Sequence, residues 1–315
     1  MKENEEYGVL SDCDKQFLKS KGYETMTNIG SSYDHLVFKA RTASGQVVAV
    51  KYLQITNKRK QKYLEREIQI TDFLRDNPHK CIVKVFDNIR DETNNRVFTI
   101  MELGTGGDLI TYFERRKWTR IDDHLAKYWF DQLLSAVKWL HDHNIAHRDI
   151  KADNVVMFPE GDTFRLKLTD LEMAIFGVQR IGRFTQTIKC NTVCGSIEYA
   201  APEIFNAAYD PFMADIYSLG VVLHIFVAGI SPFRIYGSQL LQLSDRINRT
   251  QELKQNPCLD FPKKSNSSAQ ALVRQMLDPK PDTRIKLTDI FNSEWMLTGG
   301  DQESKHFWRS VQLKH

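Results

Sequence analysis

Eight consecutive residues restrict this chain more than any other stretch: His147-Arg148-Asp149-Ile150-Lys151-Ala152-Asp153-Asn154, followed at Asp170 by Leu171-Glu172 and at Ala201 by Pro202-Glu203. An Asp that orients a hydroxyl nucleophile, a Lys two residues on, an Asn three further on and a second Asp after a short hairpin are the groups that metal-assisted phosphoryl transfer requires. The flanking patterns say how such a loop would be delivered. Leu125, Trp129, Leu133, Ala136, Val137 and Leu140 recur at helical spacing, which predicts an amphipathic helix over 122–143 ending at the loop. Beyond the loop, Val155–Phe158 and Phe164–Leu168, with a turn at Pro159-Glu160-Gly161-Asp162, predict a hairpin.

Composition removes several alternatives. A chain of 315 residues with 42% hydrophobic content can bury one large core, or two cores meeting at a cleft. Its 43 basic and 40 acidic side chains leave a balance of +3, too small to draw the chain to nucleic acid or to an anionic membrane, so neither is expected as a partner. The five cysteines (Cys13, Cys81, Cys190, Cys194, Cys258) are scattered without paired spacing, which argues against a disulfide framework and a zinc site; Cys190 and Cys194 read as two thiols in one loop. The acidic, polar start and the lack of an uninterrupted apolar stretch of membrane-spanning length give the expectation of a soluble, cytoplasmic protein. Residues 1–22 read as a tail or short capping helix with no assigned function, and 297–315 as a polar tail.

Between the tails the elements follow an order. Tyr23 to Tyr52 predicts three short strands: a run ending at Ile29, then Leu36–Ala40, then Val47–Lys51 after a turn at Ala43-Ser44-Gly45. Leu64–Ile70 has a helical pattern. Ile82–Phe86 and Val97–Leu103 predict a hairpin turned by Thr93-Asn94-Asn95, running into Gly104-Thr105-Gly106-Gly107-Asp108-Leu109. Asp215 opens a mostly apolar helix to about Gly229, by its length a buried core helix rather than a membrane span.

Taken together, Val48-Ala49-Val50-Lys51, Arg66-Glu67-Ile68-Gln69-Ile70, the loop at 147–154, Asp170-Leu171-Glu172, Thr192 through Ala201-Pro202-Glu203, and Asp215-Ile216-Tyr217-Ser218-Leu219-Gly220 resemble, in order, the motifs of the eukaryotic protein kinase family. The lysine two after Asp149 resembles the Ser/Thr-specific branch. The segment 189–203 resembles the calcium/calmodulin-dependent-kinase-like group, and Met101-Glu102-Leu103-Gly104 with Cys194-Gly195-Ser196 looks most like the testis-specific kinases, which implies a role in spermatogenesis. The resemblance implies an α+β, bilobal fold over 23–296, with a small β-rich N-lobe (about 23–103) and a larger, mainly helical C-lobe (about 104–296).

It also implies roles, residue by residue. ATP would be covered by Ile29, Gly30 and Val37, with Ala49, Met101, the Glu102 carbonyl, Gly104 and Val156 around the adenine and Asp108 at the ribose. Lys51 would reach the α- and β-phosphates, steadied by Glu67, with Glu65 as the competing partner. Asp149 would orient the substrate hydroxyl, Lys151 would steady the γ-phosphate, and Asn154 and Asp170 would hold Mg2+. Thr192 falls at an activating phosphosite for an upstream kinase, facing Arg148, and Ser196 where the substrate hydroxyl is held. Asp215 would tie down the catalytic loop, and Arg284 would pair with Glu203. Asp108 and Asp153 predict protein substrates with basic residues upstream of the target Ser or Thr.

The chain departs from the family at four places. Ser32 and His35 stand in a glycine-rich loop that keeps only Gly30 and Val37, Thr71 replaces an aliphatic residue and so loosens the helix, and Glu172 replaces a glycine that permits backbone flipping and adds negative charge near the triphosphate, while Leu171 is an apolar stand-in for a phenylalanine. Two readings therefore stand, an active Ser/Thr kinase and a pseudokinase scaffold that binds nucleotide weakly or not at all.

Overall fold

In the structure, a computed structural model that describes residues 10–31, 35–181, 184–205, 208–233, 243–255, 257 and 259–298, the chain divides into two compact units, 1–105 and 106–315. Ser32, Cys258 and the outer parts of both expected tails lie outside the described residues.

The first unit begins with α1 (Asp12–Ser20), β1 (Tyr23–Ser31), β2 (His35–Thr42) and β3 (Val47–Gln54), and continues with α2 (Lys58–Asp76), β4 (Val85–Asp91) and β5 (Arg96–Glu102). The strands form one antiparallel sheet in the order β1-β2-β3-β5-β4. The second hairpin therefore starts later than Ile82; Ile82 and Val83 are buried ahead of the strand. Side chains of a strand alternate between faces, so register decides which residues share a surface. Gly30 opposes Val37, Val37 opposes Lys51, Lys51 opposes Thr99 and Ala49 opposes Met101, which puts Gly30, Val37, Ala49, Lys51 and Met101 on one face. α2, capped by Asn57 (Oδ1 accepting from Lys60 N at 2.9 Å), lays Leu64 and Ile68 on the Leu53 and Val97 of that face.

The other face carries Phe38, Ala40, Val48, Val50, Phe98 and Ile100, all buried. What covers it is α1, in the segment read as a tail or short capping helix. Leu10 and Leu18 join this cluster, and Phe17 stacks on Phe98 with ring centroids 5.6 Å apart. A capping box starts α1: Asp14 N donates to Ser11 Oγ, and Ser11 N donates to the Asp14 carboxylate, each at 3.1 Å. Arg96 then pairs with Asp14 and, through Nε, with Asp91 Oδ2 at 2.8 Å, fastening α1 to the β4–β5 turn. A sheet that is apolar on both faces needs a layer on each, and α1 supplies the second.

The second unit runs through α3 (Leu109–Arg115), α4 (Asp123–Asp142), β6 (Ile145–Ala146), a 3-10 turn (Ala152–Asn154), β7 (Val155–Glu160), β8 (Thr163–Leu168), β9 (Ile175–Phe176), β10 (Val178–Ile181) and β11 (Phe184–Thr187). A second 3-10 turn (Pro202–Phe205), α5 (Pro211–Ala228), α6 (Leu243–Gln255), α7 (Ser267–Met276), α8 (Leu287–Phe291) and α9 (Glu294–Leu297) complete it. Its sheets are the small pairs β6–β9, β7–β8 and β10–β11. α5 starts four residues before the expected Asp215, because Asp210 caps it (Oδ1 accepting from Phe212 N at 2.9 Å) and Pro211 fits the first turn. It is long and apolar enough to cross a membrane, but 83% of it is buried within the protein, as a core helix is. The unit is α-rich and the first β-rich, which makes the fold class α+β.

Candidate functional site

The two units each carry part of the expected site. In the first, β3 delivers Lys51 and α2 delivers Glu67; both are buried, and Lys51 Nζ donates to Glu67 Oε1 at 2.8 Å. Glu65 faces solvent and accepts from Gln61 Nε2 at 3.0 Å, so it is not the partner. Thr71 does not loosen α2. Its buried hydroxyl donates to the Glu67 carbonyl at 2.9 Å and accepts from Asn88 Nδ2 at 2.9 Å, while Asn88 Oδ1 accepts from Thr99 at 2.8 Å. A threonine here ties the helix, one turn below Glu67, to β4 and β5. Val37, Ala49 and Met101 line the same face as Lys51 by register, and Ile29 and Gly30 are exposed. The Glu102 backbone N donates to Lys84 O at 3.0 Å and its carboxylate accepts from Lys84 N at 2.7 Å; Gly104 follows in the segment after β5.

In the second unit, Asp108 caps α3, its Oδ1 accepting from Thr111 N at 2.7 Å, and bridges to Val156 at the start of β7. The bridge is held by Gly106 N to Met157 O at 2.9 Å; a side chain on Gly106 would stand 2.7 Å from that carbonyl, so only glycine fits.

The loop 147–154 is fixed from below by Asp215 of α5. Its carboxylate, fully buried, accepts from His147 N at 2.8 Å, from Arg148 N at 2.7 Å and shares a bond of 2.9 Å with His141. Arg148 (φ +67) and Asp170 (φ +64) are held in the left-handed region, which costs about 1–3 kcal/mol each and persists only where surroundings enforce it. Asp149 is restrained on both oxygens. Oδ1 accepts from Ser196 N at 3.0 Å, and Oδ2 accepts from Asn154 Nδ2 and lies beside Lys151 Nζ, each at 3.0 Å. Lys151 Nζ also donates to Ser196 Oγ at 3.0 Å. Burial lowers the pKa of Lys151, but the Asp149, Asp153 and Asp170 carboxylates outweigh it and leave it raised, so Lys151 is an ammonium at neutral pH. Asp149, Lys151, Asn154 and Ser196 are thus one connected group, able to hold a hydroxyl and a negative charge close together.

The segment after Asp170 carries two of the departures. Leu171 is buried, as an apolar packing residue should be. The positive φ of the turn falls on Asp170, and Glu172 is not among the left-handed residues, so the side chain at 172 is carried without backbone strain.

Arg148 has a partner that the sequence did not point to. Its guanidinium donates to Tyr209 OH at 3.1 and 2.8 Å and to the Thr192 carbonyl at 3.1 Å, and the phenol also donates to that carbonyl at 3.1 Å. Thr192 is therefore brought to Arg148 by its backbone rather than by its hydroxyl. Tyr209 lies in no motif; its only signal is its place just before the cap of α5. Arg284 Nη1 and Nη2 grip the two oxygens of Glu203 at 2.6 and 2.9 Å.

Hard oxygen donors suit Mg2+, and the chain offers them at Asn154 and Asp170. The Asn154 amide nitrogen is committed to Asp149, which turns its oxygen into the free end of that side chain. Among the described residues there is no cluster of three or more His, Cys, Asp or Glu, but a magnesium ion shared with substrate phosphates needs only one or two protein carboxylates or amides.

The protein kinase domain family pattern matches residues 23–296. The chain is 31% identical over 302 residues to testis-specific serine/threonine-protein kinase 1 of Mus musculus, covering 90% of this chain and 74% of that protein. It is 30% identical over 280 residues to CBL-interacting serine/threonine-protein kinase 8 of Arabidopsis thaliana (87% and 57%) and 32% identical over 302 residues to CBL-interacting protein kinase 22 of Oryza sativa (90% and 63%). The chain thus spans about three fifths of the length of the two plant relatives.

Proposed function

The chain belongs to the protein kinase family, on its serine/threonine side, and from that premise we propose that it transfers the γ-phosphate of Mg-ATP to Ser and Thr hydroxyls of protein substrates. The observation that carries this reading is the connected group of Asp149, Lys151, Asn154 and Ser196, built without a missing member. Asp149, fixed on both oxygens, orients the acceptor hydroxyl and takes up its proton as the bond to phosphorus forms; Lys151 offsets the charge on the transferred group. Asn154 and Asp170 would hold Mg2+, whose part is to neutralise phosphate charge. Lys51, kept by Glu67, binds the α- and β-phosphates, and Gly30, Val37, Ala49, Met101, the backbone at Glu102 and Gly104, Val156 and Asp108 receive the rest of the nucleotide.

Activation and specificity belong to the same proposal. A phosphate placed on Thr192 by an upstream kinase would add nearly two negative charges beside Arg148, displacing the Tyr209 phenol as its partner. Asp153 beside the catalytic loop favours basic residues in the substrate; Asp108 contributes one oxygen, the other being spent on capping α3. The four described cysteines are free thiols, in keeping with an intracellular, reducing setting.

The test is transfer of labelled γ-phosphate to peptide libraries differing only in Ser, Thr or Tyr as acceptor, with nucleotide binding followed by thermal shift. Labelling of Ser and Thr peptides, strongest with upstream Arg or Lys, is expected. Selection of acidic or proline-flanked peptides would overturn the basic preference. No transfer together with no nucleotide-dependent shift would leave the scaffold reading in its place, and Glu172→Gly would then show whether Glu172 suppresses the site.

A further inference from the structure

The second unit buries a lysine that the proposed chemistry does not use. Lys254, near the end of α6, is fully buried, and its Nζ donates to the carbonyls of Ile197 and, at 2.5 Å, of Ala200. Three rings surround the ammonium, with centroids 5.3 Å (Phe233), 5.8 Å (Tyr217) and 5.9 Å (Phe205) away. Among the described residues no carboxylate pairs with it directly. The charges that reach it are Glu198, on the held strip, and Glu203, itself gripped by Arg284, whose guanidinium lies over the Tyr217 ring at 5.0 Å. An aliphatic side chain would fill this place at lower desolvation cost, so the position of the ammonium calls for a reason other than stability.

The reason lies in what it holds. The strip from Ser196 to Ala200 continues directly from the Ser196 that bonds Asp149 and Lys151. Tyr199 N and Ala200 N both donate to Ser196 O at 2.9 Å, and Ser218 of α5 donates to Tyr199 O at 2.9 Å. With Lys254 on Ile197 and Ala200, the strip is held by backbone bonds at its start and by side chains of two helices along its length.

We infer that Lys254 is a positioning residue for the protein substrate: its ammonium clamps the strip at Ile197 and Ala200 from beneath, presenting a fixed edge to the substrate backbone beside the reacting hydroxyl. This rests on the kinase reading, because a chain that transfers no phosphate has no use for a fixed edge there. The cation–π and carbonyl contacts make the clamp dependent on a charged donor, which neither methionine nor glutamine reproduces in full.

The experiment compares the full chain with Lys254→Met and Lys254→Gln by amide hydrogen exchange and by steady-state kinetics on one peptide. Expected for Lys254→Met is exchange about tenfold faster confined to peptides covering 196–200, with α4 and α5 unchanged, as loss of bonds to a charged donor should give. The peptide KM should rise about tenfold while the ATP KM and kcat stay within about twofold, and Lys254→Gln, which keeps an uncharged N–H donor group, should fall between. Unchanged exchange in the strip, or a loss in kcat with the peptide KM unmoved, overturns the inference. Should Lys254→Met fail to fold, Lys254→Gln carries the same comparison against wild type. If the wild-type chain itself transfers no phosphate, the kinase reading falls and the substrate role of Lys254 with it; if it transfers normally and the peptide KM ignores both variants, only the inference about Lys254 falls.

Discussion

Two buried lysines, one in each unit, solve the same physical problem in opposite ways. Lys51 on β3 meets a carboxylate, Glu67, at 2.8 Å in a pocket between sheet and helix. Lys254 on α6 meets carbonyls and aromatic faces, with no carboxylate against it among the described residues, and burial pushes its amine down to about 7. The first arrangement compensates a basic group with an acidic one. The second leaves charge in near balance with its desolvation, so that its protonation is coupled to folding.

The contrast can be broken most forcefully at Glu67. Glu67→Ala removes the carboxylate to which Lys51 Nζ donates in a buried ion pair and should cost about 3–5 kcal/mol of stability, read as a large drop in melting temperature of the first unit. A change of under about 1 kcal/mol would mean that the pair is open to solvent. Lys51→Met tests the functional side. It should lower kcat/KM by about 10²–10³-fold, the scale of losing one preorganised donor to phosphate charge, when assayed below the melting temperature of the variant, which loses the same buried ion pair; activity within tenfold of wild type would take Lys51 out of the site.

The support beneath Lys51 comes next. Phe17→Ala removes the ring that α1 stacks on Phe98, on the opposite face of the strands that carry Lys51, and should destabilise by about 2 kcal/mol in denaturant melts. No loss would show α1 to be dispensable. The effect at Lys254 is spread over pH. Its amine titrates near 7 in the folded chain and near 10.4 when unfolded, so between those values the unfolded chain binds more protons. Stability therefore rises with pH across that window, by no more than about 1.4 kcal/mol per pH unit, and is flat below it, where the ammonium is charged in both states. Lys254→Met should abolish that rise between pH 7.5 and 9, and a wild-type curve parallel to that of the variant would contradict the buried cation.

The same two lysines mark what was legible in the sequence. Lys51, Glu67, Asp149, Lys151, Asn154, Asp170, Asp215 and the pairing of Arg284 with Glu203 could be named because each residue sits in a short run that resembles a kinase motif. The hairpins and the long helices followed from periodicity. Lys254 could not be named, because a lysine on a polar helical stretch reads as solvated, and only tertiary packing turns it inward. Tyr209 was missed for the same reason: its bond to Arg148 spans 61 residues of sequence. α1 was readable in part. Ser11 with Asp14 forms a capping box, and the strands 36–40, 47–51 and 97–103 are apolar at consecutive positions, which asks for cover on both faces. Thr71 was judged by its polarity alone, whereas its neighbour Asn88 supplies the partner that makes a buried hydroxyl stabilising.

The central claim is that the group around Asp149 transfers phosphate, and its most direct test is a time course of intact protein and peptide mass in Mg-ATP with a generic Ser/Thr peptide, wild type against Asp149→Asn. The account predicts mass increments of whole phosphates on the peptide with the wild-type chain and none with the variant, although both bind nucleotide. Equal incorporation by the two, or none by a wild-type chain that binds nucleotide and carries phosphate on Thr192, would contradict it.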